Sequence, residues 1–326
     1  MQVLIIGAAG MIGRKLTAAL LARPDILGRE ITRMTLADVI EPPSPATSLH
    51  VTARACDLGE DAADLVARRP DVIFHLAAIV SGEAEADFAK GYRINMDGTR
   101  VLLEAIRAEA AQAPYCPRLI FSSSIAVFGA PFPEVIGDEF LCAPLTSYGT
   151  QKAICELLIN DCSRRGIVDG VSIRLPTVVI RPGKPNAAAS GFFSNILREP
   201  LVGQEAVLPV SREVRHWFCS PRAAVGYLTH AAAMDTTVLG ARRALSVPGL
   251  SATVGEEIEA LRRIAGDKAV RLIREAPDAT IDRIVSGWPQ AFDARRATEF
   301  GFVGDASFDA IIRAHIDDEL DGIIVP

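Results

Sequence analysis

Val3-Leu4-Ile5-Ile6-Gly7-Ala8-Ala9-Gly10-Met11-Ile12-Gly13 decides the fold: four apolar residues run directly into three glycines spaced three apart. A short buried strand that turns on glycine and enters a helix is the local chemistry of a dinucleotide phosphate site. Gly7 permits the tight turn, Gly10 lets backbone approach a pyrophosphate, and Gly13 lets the helix pack against the strand. The helix start at Met11, Ile12 and Gly13 then offers unpaired N–H groups and the positive end of a dipole. Apolar positions at Met11, Leu16, Leu20 and Leu21 continue the helix. Glycine punctuation also makes ordinary strand-to-helix turns, so the motif gains its meaning from this placement.

Working outward, the run Ile31 to Ala37 reads as a second strand ending on Asp38. A carboxylate there accepts hydrogen bonds from adenosine ribose hydroxyls and repels a 2′-phosphate, which favours NAD over NADP. A third strand spans His50 to Ala55, followed by Cys56-Asp57-Leu58 and a helix to Arg69. A fourth, Asp71 to Ala78, runs into small residues that would let a flat cofactor lie against backbone. Glu83 to Gln112 is mainly helical with an interruption near Gly91, and Arg118 to Phe121 opens a fifth strand ending in Ser122-Ser123-Ser124. Val171 to Leu175 is a sixth. Strands alternating with helices predict an α/β fold, a Rossmann-type doubly wound parallel sheet with its ligand crevice at the strands' carboxyl ends. Residues 1–180 are expected to form the NAD-binding part. Residues 181–326 are expected to be mainly a smaller substrate lobe, including Leu208 and Leu245 to Val247, with some chain returning to the first part.

The chain has 326 residues, 49% hydrophobic and 23% charged, with a net charge of −6. That balance gives no basic field for nucleic acid. Its six cysteines form no C-x-x-C pair and no zinc-like spacing with histidine, which reads as reduced thiols. With no apolar run near the roughly 18–20 residues of a membrane span, the expectation is a soluble, cytoplasmic protein with neither membrane nor nucleic-acid partner and no metal.

Pro144-Leu145-Thr146-Ser147-Tyr148-Gly149-Thr150-Gln151-Lys152 opens another helix. Spacing of four puts Tyr148 and Lys152 on one face, where an ammonium beside the phenol, together with oxidised nicotinamide, would favour the phenolate. Tyrosine then serves as a general base near neutral pH. A Tyr and a Lys at this spacing are usually a solvated pair; the glycine turn, Asp38 and a serine-bearing strand end in this order make the signal specific. Ile258, Leu261 and Ile264, and Ile311-Ile312, read as core.

With these motifs the chain resembles the extended short-chain dehydrogenase/reductase family, which includes nucleotide-sugar epimerases and dehydratases, over nearly its whole length. The resemblance implies that Gly7, Gly10, Met11, Ile12, Gly13, Asp38, Asp57, Leu58, Leu76, Ala77, Ala78, Asn95, Ser122 and Pro176 line an NAD site. It also makes Ser124, Tyr148 and Lys152 the catalytic set, Lys152 holding cofactor ribose. Phe292 to Arg296 with Gly301-Phe302 is similar to a structural packing motif of the family, and a homodimer through the helices from Thr99 and Tyr148 is implied.

After Pro176 the sequence departs from the Asn-x-Tyr-Gly-Pro-like stretch of nucleotide-sugar members. The segments Pro176 to Asn186 and Arg215 to Pro221 resemble instead the D-erythronate dehydrogenase branch, whose members oxidise a small sugar acid at C2. Ser81, Thr177 and Arg215 are then substrate candidates beside Ser124 and Tyr148. Arg215 would pair with a carboxylate, with His216 or Trp217 shaping the pocket; the plainer reading is a surface ion pair. The expected function is NAD-dependent oxidation of a small hydroxy acid. A nucleoside-diphosphate-sugar epimerase or dehydratase, and a non-catalytic NAD sensor, are the alternatives.

Overall fold

The computed structural model describes residues 1–183 and 189–325. The first half alternates strand and helix: β1 (Gln2–Ile6), α1 (Met11–Ala22), a small hairpin of β2 (Asp25–Ile26) and β3 (Arg29–Glu30), β4 (Arg33–Asp38), β5 (His50–Ala55), α2 (Leu58–Val66) and β6 (Val72–His75). Then come α3 (Ser81–Ala86), α4 (Phe88–Gly91), a π-helical turn over Tyr92–Asp97, α5 (Gly98–Ala110), β7 (Arg118–Ser124), a 3₁₀ turn over Ile125–Val127, α6 (Ser147–Arg164) and β8 (Asp169–Leu175). The remainder contains β9 (Thr177–Val178), α7 (Gly191–Leu201), β10 (Ala206–Leu208), β11 (Arg215–Cys219), α8 (Pro221–Ala233), β12 (Ala244–Ser246) and β13 (Leu250–Thr253). It closes with α9 (Val254–Val270), broken at Gly266, β14 (Ile273–Glu275), α10 (Ala279–Ser286), α11 (Arg295–Glu299) and α12 (Phe308–Glu319).

Seven strands form one parallel sheet in the order β12-β8-β7-β6-β1-β4-β5. The order reverses between β6 and β4 across β1, which opens the crevice at the carboxyl end of β1 where the glycine turn lies. Because both faces are covered, β1 is apolar at every inner position and its residues alternate sides. Val3 and Ile5 join a core with Leu16 and Leu20 of α1 and Ala224, Leu228 and Ala231 of α8. Leu4 and Ile6 join another with Leu65, Leu102, Ile106 and Ile159 of α2, α5 and α6.

A third core forms the lobe, with Phe193 and Leu197 of α7, Ile258 and Leu261 of α9, and Ile311 and Ile312 of α12; Ile264 packs against it. In the lobe β9, β11 and β13 form a three-stranded sheet and β10 pairs with β14. A small cluster of Ile125, Val127, Phe128, Ile136, Trp217 and Phe292 joins the turn after Ser124 to β11.

Three expectations are corrected. Leu245 lies in β12, which pairs with β8 at the edge of the main sheet, and Val247 belongs to that sheet's core, so this stretch is not part of the small lobe. An isolated three-residue strand carries no sequence signal of which sheet it joins. The fourth strand ends at His75 rather than Ala78, leaving Leu76 to Val80 as an open loop. The helical break falls at Asp87, and Gly91 instead ends α4 where the π turn begins.

Candidate active site

The glycine turn is built by close contact. Gly7 has φ +90°, and its missing side chain lets it lie against the backbone of Leu76 and Ala77. A Cβ on Gly13 would stand 2.2 Å from the Gly7 carbonyl oxygen, so only glycine lets α1 start this near the turn. Gly10 differs: it is exposed, and a Cβ there would meet only the Gly7 oxygen, at 3.4 Å. The fold hardly requires glycine at that position, and its Cβ-free face is left open. No side chain caps α1, so the N–H groups of its first turn, at Met11, Ile12 and Gly13, face the same opening.

Asp38 ends β4 beside the turn, with Oδ2 accepting from the Ala9 N–H at 2.9 Å and Oδ1 from the Val39 N–H at 2.7 Å. Its remaining lone pairs are available to ribose hydroxyls. Asp57 caps α2 by accepting from the Gly59 N–H, with Arg93 3.4 Å from its carboxylate, and Leu58 packs into the core beneath. Leu76, Ala77 and Ala78 form the half-buried loop after β6. These features fit an adenine dinucleotide: an uncapped helix start, a glycine whose Cβ-free face is open, and a carboxylate at the second strand end.

Asn95 is only 3% exposed. Its Oδ1 accepts from the Ile79 N–H at 2.9 Å, and its Nδ2 donates to Gln151 Oε1 at 2.7 Å and to the Ile79 carbonyl at 3.3 Å. Its amide thus ties the loop after β6 to α6, and the π turn supplies the extra residue that aims it inward.

Helix α6 is set by two local interactions, Thr146 Oγ1 accepting from the Gly149 N–H and Glu85 accepting from the Ser147 N–H. A Cβ on Gly149 would fall 2.1 Å from the Ala126 carbonyl oxygen, so its absence lets α6 touch the turn that follows Ser124. Tyr148 is thereby placed beside Ser124, whose hydroxyl acts on its phenol. Lys152, 2% exposed, donates to the Ser122 carbonyl at 2.7 Å, with Nζ 5.6 Å from the centre of the Tyr148 ring and 4.5 Å from that of Phe121. Ser122 Oγ donates to the His75 carbonyl at 3.3 Å, and Ser124 Oγ accepts from the Ala126 N–H at 3.1 Å.

Burial pushes the Tyr148 phenol up to about 12, against a smaller pull downward from the Ser124 hydroxyl. The same cause lowers the Lys152 ammonium to about 8, while Cys155 and Glu156 act in the opposite direction. The chain alone therefore does not lower the phenol as the Tyr–Lys spacing suggested. Desolvation of the buried phenol outweighs the pull of the Ser124 hydroxyl.

Pro176 is buried between β8 and β9, one residue beyond the register pair Ser124–Leu175. Thr177 Oγ1 lies 2.6 Å from His216 Nε2. His216 stacks on Phe193 and is held neutral by burial, its pKa lowered to about 3. Trp217 packs on Phe292, in the cluster that carries the turn after Ser124. Ser81 opens α3 beyond the loop from β6. Arg215 donates to the Ser251 carbonyl at 3.2 Å and lies 3.4 Å from Glu256, so its charge already has partners, none of them Ser124, Tyr148 or Thr177. Asn186 lies outside the described residues. Sequence reasoning passed over Gln151, Ser123, Glu156 and Arg174; the available signal was Glu156 four residues beyond Lys152.

A model of the NAD dependent epimerase/dehydratase family matches residues 3–235. The chain belongs to that family. It is 46% identical to a D-erythronate dehydrogenase of Cupriavidus necator, over 98% of each chain. It is 41% identical to one of Haemophilus influenzae, over 97% of this chain and 99% of that one. A solved structure described as the nucleoside-diphosphate-sugar epimerase from Agrobacterium tumefaciens is 62% identical with a TM-score of 0.97, covering 99% of this chain and 95% of that one. An L-threonine dehydrogenase of Clostridium difficile, 20% identical with a TM-score of 0.85 over 99% of each chain, shares the fold. Among the described residues no helix is long and apolar enough to cross a membrane.

Proposed function

We propose that this protein oxidises the C2 hydroxyl of a small, D-erythronate-like sugar acid to the 2-oxo acid with NAD as oxidant. The observation that carries the reading is the junction at which Gly149 brings Tyr148 and Lys152 against the turn of Ser124, at the sheet edge that holds the glycine turn. Tyr148 is the general base for the C2 hydroxyl proton, Ser124 holds the reacting oxygen, and Lys152 steadies the phenol and binds the cofactor ribose. Gly7, Gly10, Met11, Ile12 and Gly13 take the pyrophosphate and Asp38 the adenosine ribose. Asp57, Leu58, Leu76, Ala77, Ala78, Asn95, Ser122 and Pro176 complete that site. Bound NAD⁺ supplies the hydride acceptor and a positive charge that favours the phenolate. Ser81, Thr177 and Arg215 are the proposed substrate contacts; Arg215 would exchange Glu256 for the acid's carboxylate.

The substrate class is supported by the two curated relatives, both named D-erythronate dehydrogenase and matched over nearly full length. The name carried by the 62% identical structure favours a second reading, epimerisation of a nucleoside-diphosphate sugar. A base that generates a transient ketone serves both reactions. The segment after Pro176 weighs toward the acid.

Purified protein with NAD⁺ and a panel of aldonic acids of four to six carbons is expected to form NADH. No turnover on any of them would sink the reading, and an epimerised UDP- or dTDP-sugar product would establish the other. Tyr148→Phe is expected to lower kcat at least about a hundredfold with NAD affinity almost unchanged. Oxidation should quicken as pH rises toward about 8 and slow beyond it, as the Lys152 ammonium is lost. A homodimer through α5 and α6 is also proposed, with Leu157, 72% exposed on α6, on the contact face; a monomer by light scattering would refute it.

A further inference from the structure

Four residues beyond Lys152 on the same helix, Glu156 is 6% exposed, and its carboxylate is fully engaged. Oε1 accepts from Ser123 Oγ at 2.5 Å and Arg174 Nε at 3.0 Å; Oε2 accepts from Arg174 Nη2 at 2.8 Å and Nε at 3.2 Å. Ser123 and Arg174 are register partners on β7 and β8. Ser123 directly precedes Ser124, and Arg174 stands two residues before Pro176. The Arg174 guanidinium also rests 4.9 Å from the ring centre of Phe128, at the end of the turn that follows Ser124. One carboxylate therefore joins a helix and two strand ends that all feed the proposed site.

We propose that Glu156 is a positioning residue for this chemistry: by pinning the ends of β7 and β8 to α6, it sets where Ser124 stands relative to Tyr148 and Lys152. The inference rests on the reading of those three residues as the reacting set. Burying a carboxylate with a guanidinium is costly compared with apolar packing, so the pair is weak evidence of stabilisation. What four directed hydrogen bonds add is geometry, and misplacement by about 1 Å can cost a hundredfold in rate.

The same carboxylate acts on Lys152. The groups facing that ammonium are Tyr148, Cys155 and Glu156 from α6, His75 from β6, and the Phe121 ring and Ser122 carbonyl from β7. Burial raises the Cys155 thiol and lowers the His75 imidazole, so both are neutral. Tyr148 is held protonated, which leaves Glu156 as the formal negative charge among them. Removing it would also leave Arg174 unbalanced nearby.

Glu156→Gln, Glu156→Asp and Ser123→Ala test this, with kcat, NAD affinity and thermal unfolding measured for each. The Lys152 side-chain amine is also titrated by NMR in NAD-free protein, its signal assigned with Lys152→Met. Glu156→Gln is expected to lower kcat about a hundredfold per folded, NAD-competent molecule, with NAD affinity within about threefold, and to move the Lys152 titration to lower pH. Ser123→Ala keeps the charge pair, so it should lose about tenfold in kcat and leave that titration in place. Glu156→Asp should keep the titration as well, yet fail to restore kcat because its shorter arm does not span both strands. Retention of kcat within about twofold in Glu156→Gln, or in Ser123→Ala should Glu156→Gln not fold, overturns the proposal. If the wild type oxidises no acid, the functional reading fails, and the NAD-free titration still decides: an unmoved Lys152 signal overturns the positioning role.

Discussion

At the scale of single residues, Gly10 and Gly13 are identical in chemistry and opposite in reason. A methyl at position 13 would collide with the Gly7 carbonyl, whereas at position 10 it would meet that oxygen at 3.4 Å and otherwise face solvent. Gly13→Ala should therefore lower stability by about 2 kcal/mol or more and weaken NAD binding with it. Gly10→Ala should leave the melting temperature unchanged while NAD affinity falls about tenfold or more. Melting curves with NAD titrations separate the two; equal losses of stability would contradict the assignment. The glycine spacing was legible in the sequence, but which glycine serves the fold and which serves the ligand was not, since that depends on what each absent side chain would touch. Arg215 shows the same limit: its residue type suggests a carboxylate partner, and only the folded chain reveals Glu256 and Ser251 already beside it.

At the scale of elements, the junction between α6 and the turn after β7 determines whether the site exists. Its contact is backbone to backbone, Gly149 against Ala126. Gly149→Ala is expected to push the helix off the turn, lowering kcat about a hundredfold or more and destabilising the chain, while Asp38 and the glycine turn still bind NAD. Retained activity in that variant would show that the helix can shift without cost. Strands β1, β4, β6 and β7 stood out in the sequence because parallel strands covered on both faces read as apolar runs. The π turn at Tyr92–Asp97 and the join of Ser123, Glu156 and Arg174 did not, because each depends on packing between segments distant in the chain.

Across the whole molecule, buried titratable groups give stability a definite dependence on pH. Burial lowers His75 and His216 to about 3 and His315 to about 4. Unfolded histidines take up protons below about pH 6.5, so on acidification the unfolded state binds protons first and stability falls. Glu257 opposes this: wholly buried with neither carboxylate oxygen bonded, it keeps its proton far above the usual carboxylate range. The unfolded chain releases that proton above about pH 4.3, so its contribution is lost as pH rises. Three histidines outweigh one glutamate, so stability should climb with pH between about pH 4.5 and 6. Above about pH 7, where the histidines are neutral in both states, Glu257 makes stability decline with rising pH until Lys152, lowered to about 8, begins to offset it. Urea unfolding across this range tests both limbs. Glu257→Gln should abolish the decline and leave the acid limb in place.

The pairing of β12 with β8 carries a consequence for how the chain is made. Synthesis runs from the amino terminus, so the edge of β8 stays bare until the ribosome has delivered residues 244–246. By then every proposed catalytic residue has long emerged. A gene fragment ending at Ile180 would encode the glycine turn, Ser124, Tyr148 and Lys152, yet it would display an unpaired apolar strand and lack α8, which packs on the same sheet. Such a fragment is expected in inclusion bodies, and soluble yield should be recovered only by fragments extending past β12 and the buried Val247. Cutting this chain at its apparent lobe boundary would remove a wall of the first lobe.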